Sequence, residues 1–103
     1  MSDKAWKQFE RDAAALFNAR RFPANQGGPL DFEGPEFAGQ CKNVKVLSLA
    51  RMEELAQAAE KDAAQSGKLG VLCLKRRAGS GRSTPTLITM TEEVWKKLYG
   101  KKK

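Results

Sequence analysis

Histidine is absent from this chain of 103 residues. Its absence removes the usual general base at neutral pH, the commonest zinc ligand, and any Ser–His or Cys–His nucleophile pair. Cysteine is scarce as well. Cys41 and Cys73 both fall inside apolar segments, which suits reduced, buried thiols of a cytoplasmic protein rather than a disulfide framework. No stretch reaches the roughly 18 apolar residues that a membrane span needs, so no membrane partner is expected. The N-terminus is charged and amphipathic, without the apolar core of a signal peptide. Any enzymatic chemistry must then run on carboxylates, lysines and a hard cation.

Acid is scarce in one region only. Residues 1–67 carry nine Lys/Arg against ten Asp/Glu, whereas residues 68–103 carry ten against two, Glu92 and Glu93. The net charge of +7 therefore resides in the last third. A basic surface of this kind favours a polyanionic partner, most often nucleic acid. The plainer alternative is a solubilising charge with a lysine tail. The length suits one domain over residues 1–100, with Lys101–Lys103 expected as a disordered tail.

Hydrophobic periodicity predicts a helix over 3–20, with Trp6, Phe9, Ala13, Leu16, Phe17 and Arg20 on one face and Ser2 or Asp3 as its cap. Pro23, Asn25, Gly27 and Gly28 then mark a loop, with a short strand at Phe22. Residues 30–33 and 36–46 read as a hairpin turning at Glu33-Gly34-Pro35-Glu36. A second helix is expected over 48–66, capped by Ser48, with Leu49, Met52, Leu55, Ala56, Ala59 and Ala63 inward and Gly67 just past its end. Residues 69–77 read as a strand buried on both faces, 78–85 as a Gly/Ser loop, and 86–90 as another strand. Thr91 caps a last helix, with Glu92 and Glu93 in its first turn and Lys96 and Lys97 later. A strand–helix–strand step implies a parallel crossover, so the class is α/β: a mixed sheet with helices on its faces.

Several polar residues fall where core is expected. Glu10 lies at the margin of the first helix's apolar face, and Asp31 sits between Leu30 and Phe32. Gln40 and Lys42, two apart, project from one face of the next strand. A buried ion costs several kcal/mol unless it has a partner or a metal. Two carboxylates and an amide oxygen suit a hard divalent cation such as Mg²⁺ or Mn²⁺, and an adjacent lysine suits charge stabilisation in phosphodiester hydrolysis. Each residue also has a plainer reading: Asp31 as a turn residue, Glu10 as a surface partner of Lys7, Gln40 and Lys42 as a solvated sheet face.

The string from Asp31 to Gln40-Cys41-Lys42, after a helix bearing Glu10, resembles the PD-(D/E)xK nuclease superfamily. Within it the chain looks most like the archaeal- and phage-type Holliday-junction resolvases, and the Gln before x-Lys is similar to Mrr-type restriction endonucleases. The likeness covers residues 6–90. It implies a restriction-endonuclease-like sheet with an α-β-β-β-α-β core, and a homodimer cutting branched DNA in the cytoplasm of a prokaryote or phage-infected cell. On this likeness Asp31 is the central metal ligand, joined by Glu10, Gln40 and the main-chain carbonyl of Cys41, and Lys42 orients the attacking water. Gln40 removes one negative charge from the family pattern, for which Glu33 is a possible substitute. The loop lacks the serine common in resolvases, which leaves Asn25 or Gln26 to meet a phosphate. Lys45, Lys75, Arg76, Arg77 and Arg82 are the expected DNA contacts. The Gln40 departure supports an alternative, a catalytically inactive nucleic-acid-binding module on the same fold. A protein-interaction domain is a third reading. Trp95 and Tyr99, four apart on the last helix, read as packing residues before base stackers.

Overall fold

A computed structural model describes residues 3–22, 29–79 and 83–102, the side chains of 3, 4, 101 and 102 excepted. The elements are α1 (Asp3–Leu16), β1 (Arg20–Arg21), β2 (Phe32–Glu33), β3 (Phe37–Val44), α2 (Leu49–Ala64), β4 (Leu69–Arg76), β5 (Thr86–Thr89) and α3 (Glu92–Lys102). They form an α/β fold around a five-stranded mixed sheet in the order β1-β2-β3-β4-β5, with only β3 and β4 parallel. Among the described residues no helix is long and apolar enough to cross a membrane.

α1 ends earlier than its periodicity suggests. Asn18 takes a left-handed φ of 57°, and the Ala19 and Asn18 N–H groups close back on the Ala14 and Ala15 carbonyls. This is the Schellman stop, with asparagine where glycine is usual. Arg20 is therefore in β1 rather than on the helix, and Leu16 is exposed rather than inward. The short strand expected at Phe22 falls instead on Arg20–Arg21, though the Phe22 N–H still bonds the Asp31 carbonyl. α2 stops by the same device, with Gly67 at φ 70° and the Lys68 N–H returning to the Ala63 carbonyl. Ser48 accepts from the Arg51 N–H and caps α2 as expected, and Thr91 does the same for the Val94 N–H of α3. α3 runs on to Lys102, so two of the three terminal lysines are helical rather than a loose tail.

The sheet is covered on both faces. α1 lays Phe9, Ala13 and Ala14 on Phe32, Cys41, Val71 and Cys73, and Phe17 stacks on Phe32 at 5.5 Å. α2 covers the opposite face, and α3 lies beside it, joined by a Thr91–Glu60 side-chain hydrogen bond of 2.7 Å. α2 crosses obliquely. Its end meets the start of β3 through Ala63 and Ala38, while Leu55 and Met52 near its beginning meet Leu72 and Leu74 of β4. A Cβ on Gly70 would lie 2.3 Å from the Ala59 carbonyl oxygen, so only glycine lets the helix backbone rest on β4 there. The diagonal leaves the second half of β3 without a helix above it.

Candidate active site

The uncovered half of β3 carries Gln40, Lys42 and Asn43, all half-buried. Phe37, Gly39 and Cys41 face α1, so by alternation Gln40 and Lys42 leave the strand on the α2 face. β2 pairs with β3 only at Phe32↔Gly39 and Glu33↔Ala38. Beyond that point the edge of β3 is met by side chains and by the segment 29–31. The Asp31 N–H donates to the Gly39 carbonyl at 2.8 Å, and the Cys41 N–H donates to Asp31 Oδ2 at 2.7 Å. In an extended strand a residue's N–H and C=O face the same edge. The Cys41 carbonyl thus faces the edge where Asp31 stands.

Asp31 is where the expected residues meet. Burial raises its pKa above the ordinary aspartate value of 3.8, the Cys41 amide opposes that, the negative charge of Glu10 adds to it, and Lys42 and Arg21 oppose it. Glu10, Lys42 and Arg21 therefore all stand close enough to bear on this one carboxyl. Glu10 is 6 % exposed, the one buried charged residue among those described. Its partner is Arg21, whose Nε donates to Glu10 Oε1 at 2.7 Å. This sets aside the plainer reading of a surface pair with Lys7 and ties one carboxylate oxygen to a guanidinium. Arg21 is a residue that sequence reasoning missed. A carboxylate buried on α1 demands a cation, and the adjacent Arg20-Arg21 pair was the signal for it.

Gln40 Nε2 donates to the Pro29 carbonyl at 3.0 Å, which draws its amide to the same 29–31 segment. Its Oε1 is buried with no hydrogen-bond partner among the described residues, and so is Asn43 Oδ1. Two orphaned oxygens in one half-strand are unusual, because a buried acceptor without a donor costs about 1–3 kcal/mol. By alternation the two leave opposite faces of β3, and the Gln40 oxygen, on the face of Lys42, suits a cation or its water shell. Among the described residues no group of three acidic or thiol ligands converges. Mg²⁺ keeps several waters and needs only one or two protein carboxylates, so Asp31 and Gln40 Oε1, with Glu10 acting through water, form a donor set that fits it. Cys41 is no thiolate ligand: a hydrogen bond with Cys73, and then burial, hold its thiol far above the usual range. Glu33 lines a recess with Asp62, Gln65 and Ser66 at the end of α2, so its surroundings are those of the helix end.

The basic residues divide. Lys45, Arg76 and Arg77 are exposed at the C-terminal end of β3 and β4, the same end as Lys42. Lys75 is engaged, its Nζ donating to the Thr84 carbonyl, and Thr84 in turn donates to the Arg76 carbonyl. Asn25, Gln26 and Arg82 lie outside the described residues. Trp95 and Tyr99 are not core residues: they are 54 % and 52 % exposed and stack on each other at 6.2 Å. Compared with known proteins, the chain matches no family model, no curated protein and no solved structure.

Proposed function

We propose that the protein is a divalent-metal-dependent DNA endonuclease, acting on branched DNA as a homodimer in the cytoplasm. The observation that carries this reading is the meeting of Glu10, Arg21 and Lys42 on Asp31, a carboxyl whose ionisation the fold resists, beside an orphaned amide oxygen at Gln40. Perturbed acids with specific charged partners cluster at functional sites. The exposed Lys45, Arg76 and Arg77 at the same end of the sheet suit DNA phosphates. The restriction-endonuclease-like variant of the α/β class belongs to this proposal too, supported by the α-β-β-β-α-β order and by Asp31, just before β2, bonding through main chain and side chain to the strand that carries Gln40-x-Lys42.

When bound, Mg²⁺ or Mn²⁺ supplies Lewis-acid activation of water and phosphate. Asp31 and Gln40 Oε1 would hold it, and the Cys41 carbonyl faces the same edge as Asp31. Glu10, fixed by Arg21, takes part through water rather than directly. Lys42 orients the attacking water and offsets charge on the pentacovalent phosphate. The test is incubation of a labelled four-way junction and a matched duplex with Mg²⁺, Mn²⁺ or EDTA, alongside Asp31→Asn. Metal-dependent cutting of the junction that vanishes in the variant is the expected result. Equal cutting of both DNAs removes the preference for branches, and cutting by the variant rejects the site.

Two observations favour a second reading, a DNA-binding module without catalysis: Gln40 is neutral, and Arg21 already occupies Glu10. It predicts tight, salt-sensitive binding to the same DNAs with no cleavage in any metal.

A further inference from the structure

Next to Lys42 the chain does something costly: it holds apolar side chains out in water. Val46 is 83 % exposed, Leu49, three residues on at the start of α2, is 78 % exposed, and Leu87 of β5, which borders the same recess as Val46, is 54 % exposed. Val46 and Leu87 border a recess of about 120 Å³ whose floor is Leu47, Met52 and Leu74. Lys45 and Arg76 line the same recess, and no carboxylate does. Arg77 adjoins it, its N–H donating to the Val44 carbonyl at 3.0 Å. Single exposed apolar residues need no explanation, but several grouped around a cation-rimmed hollow mark a contact surface.

We infer that this lip and recess receive unpaired or splayed nucleotides beside the cleavage site. The base faces lie against Val46, Leu49 and Leu87, and the flanking phosphates meet Lys45, Arg76 and Arg77. The inference rests on the reading of the neighbouring site as one that acts on DNA. The chemistry selects this occupant. A nucleic-acid strand presents an anion at every residue, which answers the cations that line the hollow. An intact duplex hides its base faces in the stack, so it offers nothing to the apolar lip. An unpaired strand or a branch point offers both. Aliphatic side chains are established wedges between base steps, and unstacking is cheapest where pairing is already broken. Val46 and Leu49 thus become determinants of preference for branched over continuous DNA, distinct from the residues that cut.

The test uses the full chain in EDTA, so that it does not depend on catalysis. The probes are a four-way junction carrying 2-aminopurine beside the branch point and a matched linear duplex. Binding by the wild type raises 2-aminopurine fluorescence several-fold. The double variant Val46→Ser/Leu49→Ser abolishes that rise and weakens junction binding about tenfold or more, while duplex affinity and melting temperature stay as they were. Both side chains are exposed, so the variant keeps its core. Unchanged unstacking and junction preference in the variant overturn the inference. So does a variant altered only in sedimentation, which gives the lip to a second copy of the chain. Failure of the wild type to bind any DNA at low salt overturns the nuclease reading and this one with it.

Discussion

β3 and β4 lie side by side, parallel and in register over eight residues, yet they serve opposite ends. β4 has six consecutive buried residues, Leu69–Leu74. In β3 burial lapses after Gly39, save for Cys41, and the positions facing Leu72 and Leu74 are filled by Gln40 and Lys42. The difference comes from above the sheet: α2 crosses diagonally and shelters the start of β3 and the end of β4. A strand kept by a helix is core, and the stretch of its neighbour that the same helix leaves open is where polar side chains can converge.

The contrast breaks most sharply when the facing residues Lys42 and Leu74 are each cut to alanine. Lys42→Ala is expected to lower cleavage by about a thousandfold or more while shifting the unfolding free energy by no more than about 0.5 kcal/mol. Leu74→Ala is expected to do the reverse, losing about 3 kcal/mol of stability with catalysis intact in the folded fraction. Urea unfolding and a single-turnover cleavage assay on both variants decide it. Gly70→Ala, a surface-neutral change elsewhere, should cost about 2–3 kcal/mol here because the helix backbone cannot retreat without losing its packing.

A smaller effect separates Glu10 from Asp31. Arg21→Ala leaves Glu10 buried without its cation and should cost about 2–3 kcal/mol. The double variant Arg21→Ala/Glu10→Gln should recover much of that loss in the same urea titration. Asp31 behaves in the opposite sense, because its environment already resists its charge. A raised pKa means that the folded state holds the proton more tightly than the unfolded state. Stability from this group is therefore greatest below about 3.8 and falls as pH rises through the raised folded value. Other carboxylates titrate in the same range, so the difference between wild type and Asp31→Asn isolates it. The two should coincide at the acid end, and the variant should pull ahead toward neutrality.

Much of this contrast was legible in the residues. LGVLCL is a continuous apolar run and announces a strand buried on both faces. Gln40 and Lys42 announce themselves as polar intruders at strand spacing. The glycine stop at Gly67 is equally plain, but the identical stop at Asn18 is not, since asparagine visits the left-handed region only occasionally and its presence does not announce a stop. That hidden stop is what turns the chain into β1 and brings Arg21 to Glu10. The exposure of Leu16 and Leu49 was illegible for a related reason: helical spacing gives the apolar face but not which turn of it the sheet reaches. Trp95 and Tyr99 do pack, but on each other rather than on the sheet, because Val94 alone of that turn is buried.

The account's central claim is that Asp31 is held at an energetic cost for the sake of a cation, not as a cap for the Cys41 amide. Thermal unfolding of wild type and Asp31→Asn at neutral pH, each with EDTA and with Mn²⁺, tests it directly. The account predicts that the variant melts at or above the wild type in EDTA, and that Mn²⁺ raises the wild type alone. A variant that melts well below the wild type, with no response to Mn²⁺ in either protein, would contradict it and leave Asp31 as a structural cap on the edge of β3.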